Sequence, residues 1–170
     1  LIAASDSRGT LVDRSGIDLA DLIRIKDAGG SVCDHPNGEK LPVDAIIDVA
    51  CDIWIPAARP DVIREDNVAR LKTKLVPQGA NIPVTIGAER MLHERGVIIV
   101  PDFIANAGGV ICAAMEYRGA TQSQAFEAIA ERIRENTEAV LSDAGARQVG
   151  AREAALALAT RRVRQAMSYR

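Results

Sequence analysis

At 170 residues with 48% hydrophobic and 26% charged content, the chain is long enough for one sizeable core and too short for two ordinary domains. Its 21 basic against 23 acidic residues, a net charge of −2, leave no basic surplus for nucleic-acid phosphates, and 3% aromatics leave few base-stacking platforms. No apolar run approaches the roughly 20 residues that span a bilayer, no signal-peptide pattern opens the chain, and Cys33, Cys51 and Cys112 are too scattered for a disulfide framework or structural zinc.

Leu1 to Ser5 is a short apolar run that predicts a buried parallel strand. A start inside a strand, without Met, points to a chain that continues upstream. Ser7-Arg8-Gly9-Thr10 has turn chemistry, and Asp18 to Ala28 places Leu19, Leu22, Ile23 and Ile25 on a mostly apolar helical face closed by Gly29-Gly30. Residues 31–40 read as an irregular turn-rich stretch, after which Pro42 opens a short helix to Ala50. Next come a strand at 52–55 stopped by Pro56, a helix at 61–71, a strand at 74–77, a helix at 85–95 capped by Gly96, and a strand at 97–100. Four alternations of strand and helix with short connections imply a doubly wound α/β architecture built on a parallel sheet.

After Asp102 no further strand is predicted. Thr121-x-x-Gln124 has capping-box spacing, and Phe126, Ile129, Ile133, Val140 and Leu141 recur at helical period until Gly145. A last helix over 151–169 aligns Ala155, Leu158, Ala159, Val163 and Met167, with Arg161, Arg162 and Arg164 on a solvated face near its negative end. The organisation expected is an α/β part, residues 1–118, and a helical tail, residues 119–170, packed on it as one structural unit.

In such a sheet, ligands bind beyond the carboxyl ends of the strands. Asp6, Ser7 and Arg8 follow the first strand, where an acid suits a ribose diol and an arginine a 2′-phosphate. Pro56-Ala57-Ala58 offers small side chains beside a flat ligand. Gly79-Ala80-Asn81 and Asn106-Ala107-Gly108-Gly109 offer asparagine amides, each a donor and an acceptor, which match a carboxamide. Each of these has a plainer reading as a cap or turn residue. Four compatible strand ends on one sheet edge together favour a nucleotide site, although no G-x-G-x-x-G loop occurs. That loop would precede Leu1 if Leu1 starts the second strand of a dinucleotide-binding fold. His35, near Cys33, reads as a loop histidine and His93 as a surface residue at a helix end. No catalytic residue and no metal ligand is assigned.

Ser5-Asp6-Ser7-Arg8-Gly9, Ile55-Pro56-Ala57-Ala58, Gly79-Ala80-Asn81 with Pro83 and Thr85, Leu92-His93-Glu94-Arg95-Gly96, and Val100-Pro101-Asp102 running into Asn106-Ala107-Gly108-Gly109-Val110 resemble, in order, the cofactor domain of glutamate dehydrogenases. Asn-Ala-Gly-Gly-Val is common to the glutamate, leucine, phenylalanine and valine dehydrogenases, and Gly-Ala-Asn-x-Pro-x-Thr is more typical of the glutamate branch. The resemblance implies a Rossmann-like sheet lacking its first strand and glycine-rich loop. It implies NAD- or NADP-dependent oxidative deamination of L-glutamate to 2-oxoglutarate and ammonia. It places Asp6, Ser7 and Arg8 at the adenosine ribose, Ala57 along the cofactor, and Asn81 and Asn106 at the nicotinamide end.

Glutamate enzymes commonly carry a serine at the position of Ala113, beside the substrate, so its absence keeps a leucine- or phenylalanine-type dehydrogenase open. A nucleotide-binding module without catalysis would share the fold. The family's catalytic lysine and aspartate belong to a preceding substrate domain. The chain alone is therefore expected to be inactive, and the full-length protein to be a cytoplasmic homo-oligomer without nucleic-acid or membrane partners.

Overall fold

The computed structural model describes residues 1–169, which form two compact units: Leu1–Asp52 with Ala69–Thr73, and Ile53–Val68 with the chain from Lys74 on.

The first unit is built on a three-stranded antiparallel sheet in the order β1 (Ala3–Asp6), β2 (Gly9–Val12), β3 (Glu39–Leu41). The parallel strand expected at 1–5 is thus one arm of a hairpin, in register Asp6 to Gly9. The Asp6 carboxylate accepts the Arg8 N–H at 2.9 Å, closing a turn that sends the chain straight back instead of into a crossover. β2, buried along its whole length, becomes the central strand. The predicted helix forms as α1 (Leu19–Asp27), with the Asp18 carboxylate accepting from the Ala20 and Asp21 amides. Of its apolar stripe only Leu22 is buried, in a core with Leu11, Ile17 and Val32, while Leu19 and Ile23 face solvent. His35 is buried at the end of a 3₁₀ turn, its Nδ1 accepting the Asn37 N–H. Pro42 opens a 3₁₀ turn over Val43–Asp48 where an α-helix was expected.

The second unit contains the parallel pair β4 (Leu75–Pro77) and β5 (Ile98–Val100). The strand expected at 52–55 is reduced to one parallel bridge, Ile53 to Leu75. The helix expected at 61–71 does not form, because its amide groups are paired elsewhere. Asp61 N–H donates to Ile82 O, Ile63 N–H to Pro83 O, and Thr85 N–H to Ile63 O, all at 3.0 Å, so the segment lies along 82–85. Only Val68–Arg70 turns, as 3₁₀. α2 (Ile86–Glu94) matches expectation, capped by Thr85 and stopped before Gly96 at φ +75°, with His93 exposed in its last turn.

After β5 the chain enters α3 (Asp102–Ala105) and α4 (Gly108–Tyr117). The Asn-Ala-Gly-Gly motif, expected at a strand end, therefore lies at a junction between helices. α5 (Gln122–Arg147) begins in the predicted capping box and runs through Gly145 to a left-handed Gln148, φ +56°. α6 (Ala151–Met167) packs on it through Ala154 and Ala155, against Val140, Ala144, Val100 and Ile104. The distal part of its stripe, Val163 and Met167, is exposed, and Arg162 reaches the Asn136 side chain. Among the described residues no helix is long and apolar enough to cross a membrane and no cluster could hold a metal ion. All three cysteines are free.

Candidate functional site

Three of the expected residues meet beyond β4 and β5. The Gln78 N–H donates to Val100 O at 3.0 Å and carries the strand pairing to the ends of both strands. The Ala80 N–H donates to Pro56 O at 2.9 Å and brings Pro56-Ala57 beside Gly79-Ala80. A Cβ placed on Gly79 would lie 3.2 Å from that of Ala57, so a side chain here would crowd the shelf that the two small residues leave open. Asn106, which ends α3, donates from Nδ2 to Asn81 Oδ1 at 2.9 Å and to Ala80 O at 3.2 Å. Asn81 Nδ2 and Asn106 Oδ1 take no partner among the described residues. Each amide thus keeps one uncommitted group, a donor on Asn81 and an acceptor on Asn106.

Beneath this pair lies a buried polar network that the sequence reading missed. Arg152, at the start of α6, grips Glu89 of α2 with Nε and Nη2, both at 2.7 Å, in a fork geometry suited to carboxylates. Its Nη2 also reaches Asp102 Oδ1 at 2.9 Å and Gln78 Oε1 at 3.2 Å, and its guanidinium lies 5.5 Å from the centre of the Phe103 ring. Gln78 completes the set by donating to Glu89 Oε1 at 2.6 Å. Pairing with Glu89 foremost raises the Arg152 pKa, against burial, with Asp102 adding to the effect. Burial pushes the Asp102 carboxyl up, but hydrogen bonds from the Ile82 amide and from Arg152 outweigh it and hold the group below the usual carboxylate range.

The Ile82 contact singles out a strained residue. Ile82 has φ +48°, a left-handed conformation that a β-branched side chain adopts at a cost on the order of 1–3 kcal/mol. Its N–H donates to Asp102 Oδ2 at 2.9 Å. Glu89, beside the buried Ala88 and Leu92, was a charge out of place on an apolar face. Nothing in the pattern, however, could pair it with an arginine 63 positions away.

In the first unit Asp6, Ser7 and Arg8 occupy the β1–β2 turn. All four acceptor sites of Asp6 are engaged: Oδ1 by the Arg8 amide and Ser31 Oγ, and Oδ2 by Lys26 Nζ at 2.8 Å and the Val32 amide. Burial pushes its carboxyl up, yet Lys26 and these donors pull it well below the ordinary range. Arg8 is half exposed, bonds Gly29 O and lies 4.0 Å from Asp34, while Ser7 is exposed. Ala113 sits on an exposed face of α4.

Residues 1–170 match the sequence profile described as Glutamate/Leucine/Phenylalanine/Valine dehydrogenase. A glutamate dehydrogenase of Aeropyrum pernix is 34% identical over the whole chain, and an NADP(+)-dependent glutamate dehydrogenase of Pyrobaculum calidifontis 37% identical. The chain spans 43% of the length of each. Among solved structures, a hetero-hexameric glutamate dehydrogenase of Thermus thermophilus superposes with a TM-score of 0.82 at 22% identity, over 97% of this chain and 40% of that one. An L-tryptophan dehydrogenase of Nostoc punctiforme gives 0.71 at 21% identity, over 89% and 43%. These likenesses show a shared Rossmann-like α/β fold.

Proposed function

The chain belongs to the glutamate/leucine/phenylalanine/valine dehydrogenase family, and we propose from that premise that it is the nicotinamide-nucleotide-binding part of a glutamate dehydrogenase. The observation that carries this reading is the Asn81–Asn106 pair, which holds a free amide donor and a free carbonyl acceptor beyond the ends of two parallel strands. Asn81 Nδ2 would donate to the carboxamide oxygen of the nicotinamide and Asn106 Oδ1 would accept from its NH₂ group. The shelf of Ala57 and Gly79 is small enough for the flat ring and its ribose to lie against backbone.

Asp6, Ser7 and Arg8 are proposed at the adenosine ribose. The Asp6 charge is balanced by Lys26, and the Arg8 guanidinium is half exposed. A ribose hydroxyl would exchange with one donor on Asp6, and a 2′-phosphate would meet Arg8 and Ser7, so both NAD and NADP are accommodated. When bound, the cofactor supplies the hydride acceptor for oxidative deamination of L-glutamate to 2-oxoglutarate and ammonia. The residues of this chain orient the ring by its carboxamide, which fixes the face turned toward substrate. Proton transfer and most substrate contacts are assigned to a preceding domain of a cytoplasmic homo-oligomer. The relatives named glutamate dehydrogenase, and the Gly79-Ala80-Asn81-x-Pro83 segment, favour glutamate despite Ala113.

Fluorescence titration of the full-length protein with NADH and NADPH, followed by kcat/KM for glutamate, leucine and phenylalanine, tests this reading. Failure to bind either nucleotide refutes it. A tenfold preference for leucine or phenylalanine, about 1.4 kcal/mol, moves the substrate assignment within the family.

A further inference from the structure

We propose that Asp102, locked in place by Arg152, is a positioning residue that sets the Asn81–Asn106 pair by holding Ile82 in its left-handed backbone conformation. The inference rests on the nucleotide-binding reading and deepens it. Asp102 grips both arms of the pair. Its Oδ2 accepts the N–H of Ile82, the residue after Asn81, at 2.9 Å, and its backbone carbonyl accepts the N–H of Asn106 at 2.8 Å across the single turn of α3.

Ile82 does not hold its own conformation. Its side chain is largely solvent-exposed, so no packing recovers the cost of φ +48°, and Pro83 after it restricts the backbone further. Its backbone is held by two hydrogen bonds, the N–H to Asp102 and the carbonyl from the Asp61 N–H at 3.0 Å. Release of the first lets residue 82 relax toward negative φ. That rotation redirects the peptide joining it to Asn81 and so the Oδ1 that Asn106 Nδ2 meets at 2.9 Å.

The Asp102 carboxylate cannot swing away to follow Ile82, because its other oxygen is held by Arg152 at 2.9 Å. Arg152 in turn is fixed by its two bonds to Glu89. Three elements, α2, α3 and α6, therefore converge on one loop conformation. The loop after β4 and the junction between α3 and α4 acquire a common reference point, which is what a site needs to hold the two amides in a fixed relation. Asp102 acts through Ile82 and Asn106, not on the ligand.

The test uses the full-length protein, with NADH and NADPH as probes, and follows dissociation constants together with hydrogen exchange at the Ile82 amide. Asp102→Ala is expected to weaken binding of both nucleotides tenfold or more and to strip protection from that amide. Adding Ile82→Gly, which takes positive φ without a Cβ clash, should restore affinity to within about threefold of the wild type. A purely structural role for Asp102 would show no such rescue. Ile82→Pro keeps the Arg152 ion pairs to Glu89 and Asp102 but fixes φ near −65° and removes the N–H that Asp102 Oδ2 accepts, so it should weaken binding of both nucleotides at least as much, measured well below its melting temperature. It decides the matter if Asp102→Ala does not fold. Wild-type protein that binds neither nucleotide overturns the functional reading. Wild-type protein that binds, with Ile82→Pro binding within twofold of it, overturns the positioning role.

Discussion

Replacing Arg152 by Met removes the single cation from a site that keeps two carboxylates, Glu89 and Asp102, with side chains only 8% and 10% exposed. Met preserves most of the volume and the apolar stem, so the change isolates the charge. Breaking a buried pair in this way costs about 3–5 kcal/mol, because the partners stay behind as uncompensated charges. Arg152 itself retains 24% exposure, which lets water reach the site and argues for about 3 kcal/mol, the lower end. The loss should depend on pH in a definite direction. In the wild type the Asp102 pKa is lowered on folding, so the stability it brings is present above its unfolded pKa, about 3.9, and is lost as pH falls through the folded value. In Arg152→Met the two carboxylates repel and one takes up a proton, so its folded pKa rises and the variant is penalised most above that value. The gap between the two proteins is therefore largest near pH 7 and narrows toward pH 4. Urea denaturation followed by fluorescence of Trp54, the sole tryptophan and a buried member of the second unit, reads both quantities. Arg152→Lys, which keeps charge but cannot make the bidentate contact, should fall between. A destabilisation below about 1 kcal/mol at pH 7, or one that does not vary with pH, would refute the reasoning.

If the proposed nicotinamide contact holds, Asn106→Ala, which deletes the amide while leaving the start of α4 in place, should cost roughly 1–3 kcal/mol in kcat/KM of the full-length protein with little change in melting temperature. Wild-type kinetics would reduce Asn106 to a turn residue. Asp6→Ala removes the acceptor of four hydrogen bonds and should destabilise the first unit by about 2–3 kcal/mol above pH 5, a loss that fades as the pH drops below the ordinary carboxylate range; denaturation at pH 7 and pH 3 compares the two. Arg8→Ala should weaken NADPH more than NADH in parallel titrations, and equal effects on both would remove Arg8 from the 2′-phosphate. Thr121→Ala breaks the capping box of α5 and should lower stability by about 1 kcal/mol in the same denaturation assay.

Several of these features could be read from the chain because they are local. A cap and its helix lie within one turn, so the capping box at Thr121 and the helix starts expected at Asp18 and Thr85 located α5, α1 and α2 to within a residue or two. The run 97–100 was apolar enough to require a strand, and the motifs around Asn81 and Asn106 marked two loops whose amides could be singled out from the chain alone. What local pattern could not contain was the destination of each backbone amide. Residues 61–71 have helical spacing, but their N–H and C=O groups found partners in 82–85, and that choice is a matter of three-dimensional proximity. The turn at Ser7-Arg8 reversed the first strand because one carboxylate oxygen captured the Arg8 amide, turning an expected crossover into a hairpin. Pairing between Asn81 and Asn106, 25 residues apart, and between Glu89 and Arg152, 63 apart, exists only once the helices have packed on β4 and β5. Propensity and periodicity act over one or two turns of chain. Hydrogen-bond satisfaction of buried polar groups acts over whatever distance folding closes, so the sequence determined the capped helices, the apolar strand at 97–100 and where the candidate amides lie, while only the tertiary structure decided that 61–71 is not a helix, that the first strand turns back as a hairpin, which charges meet beneath the amides and why Ile82 is bent.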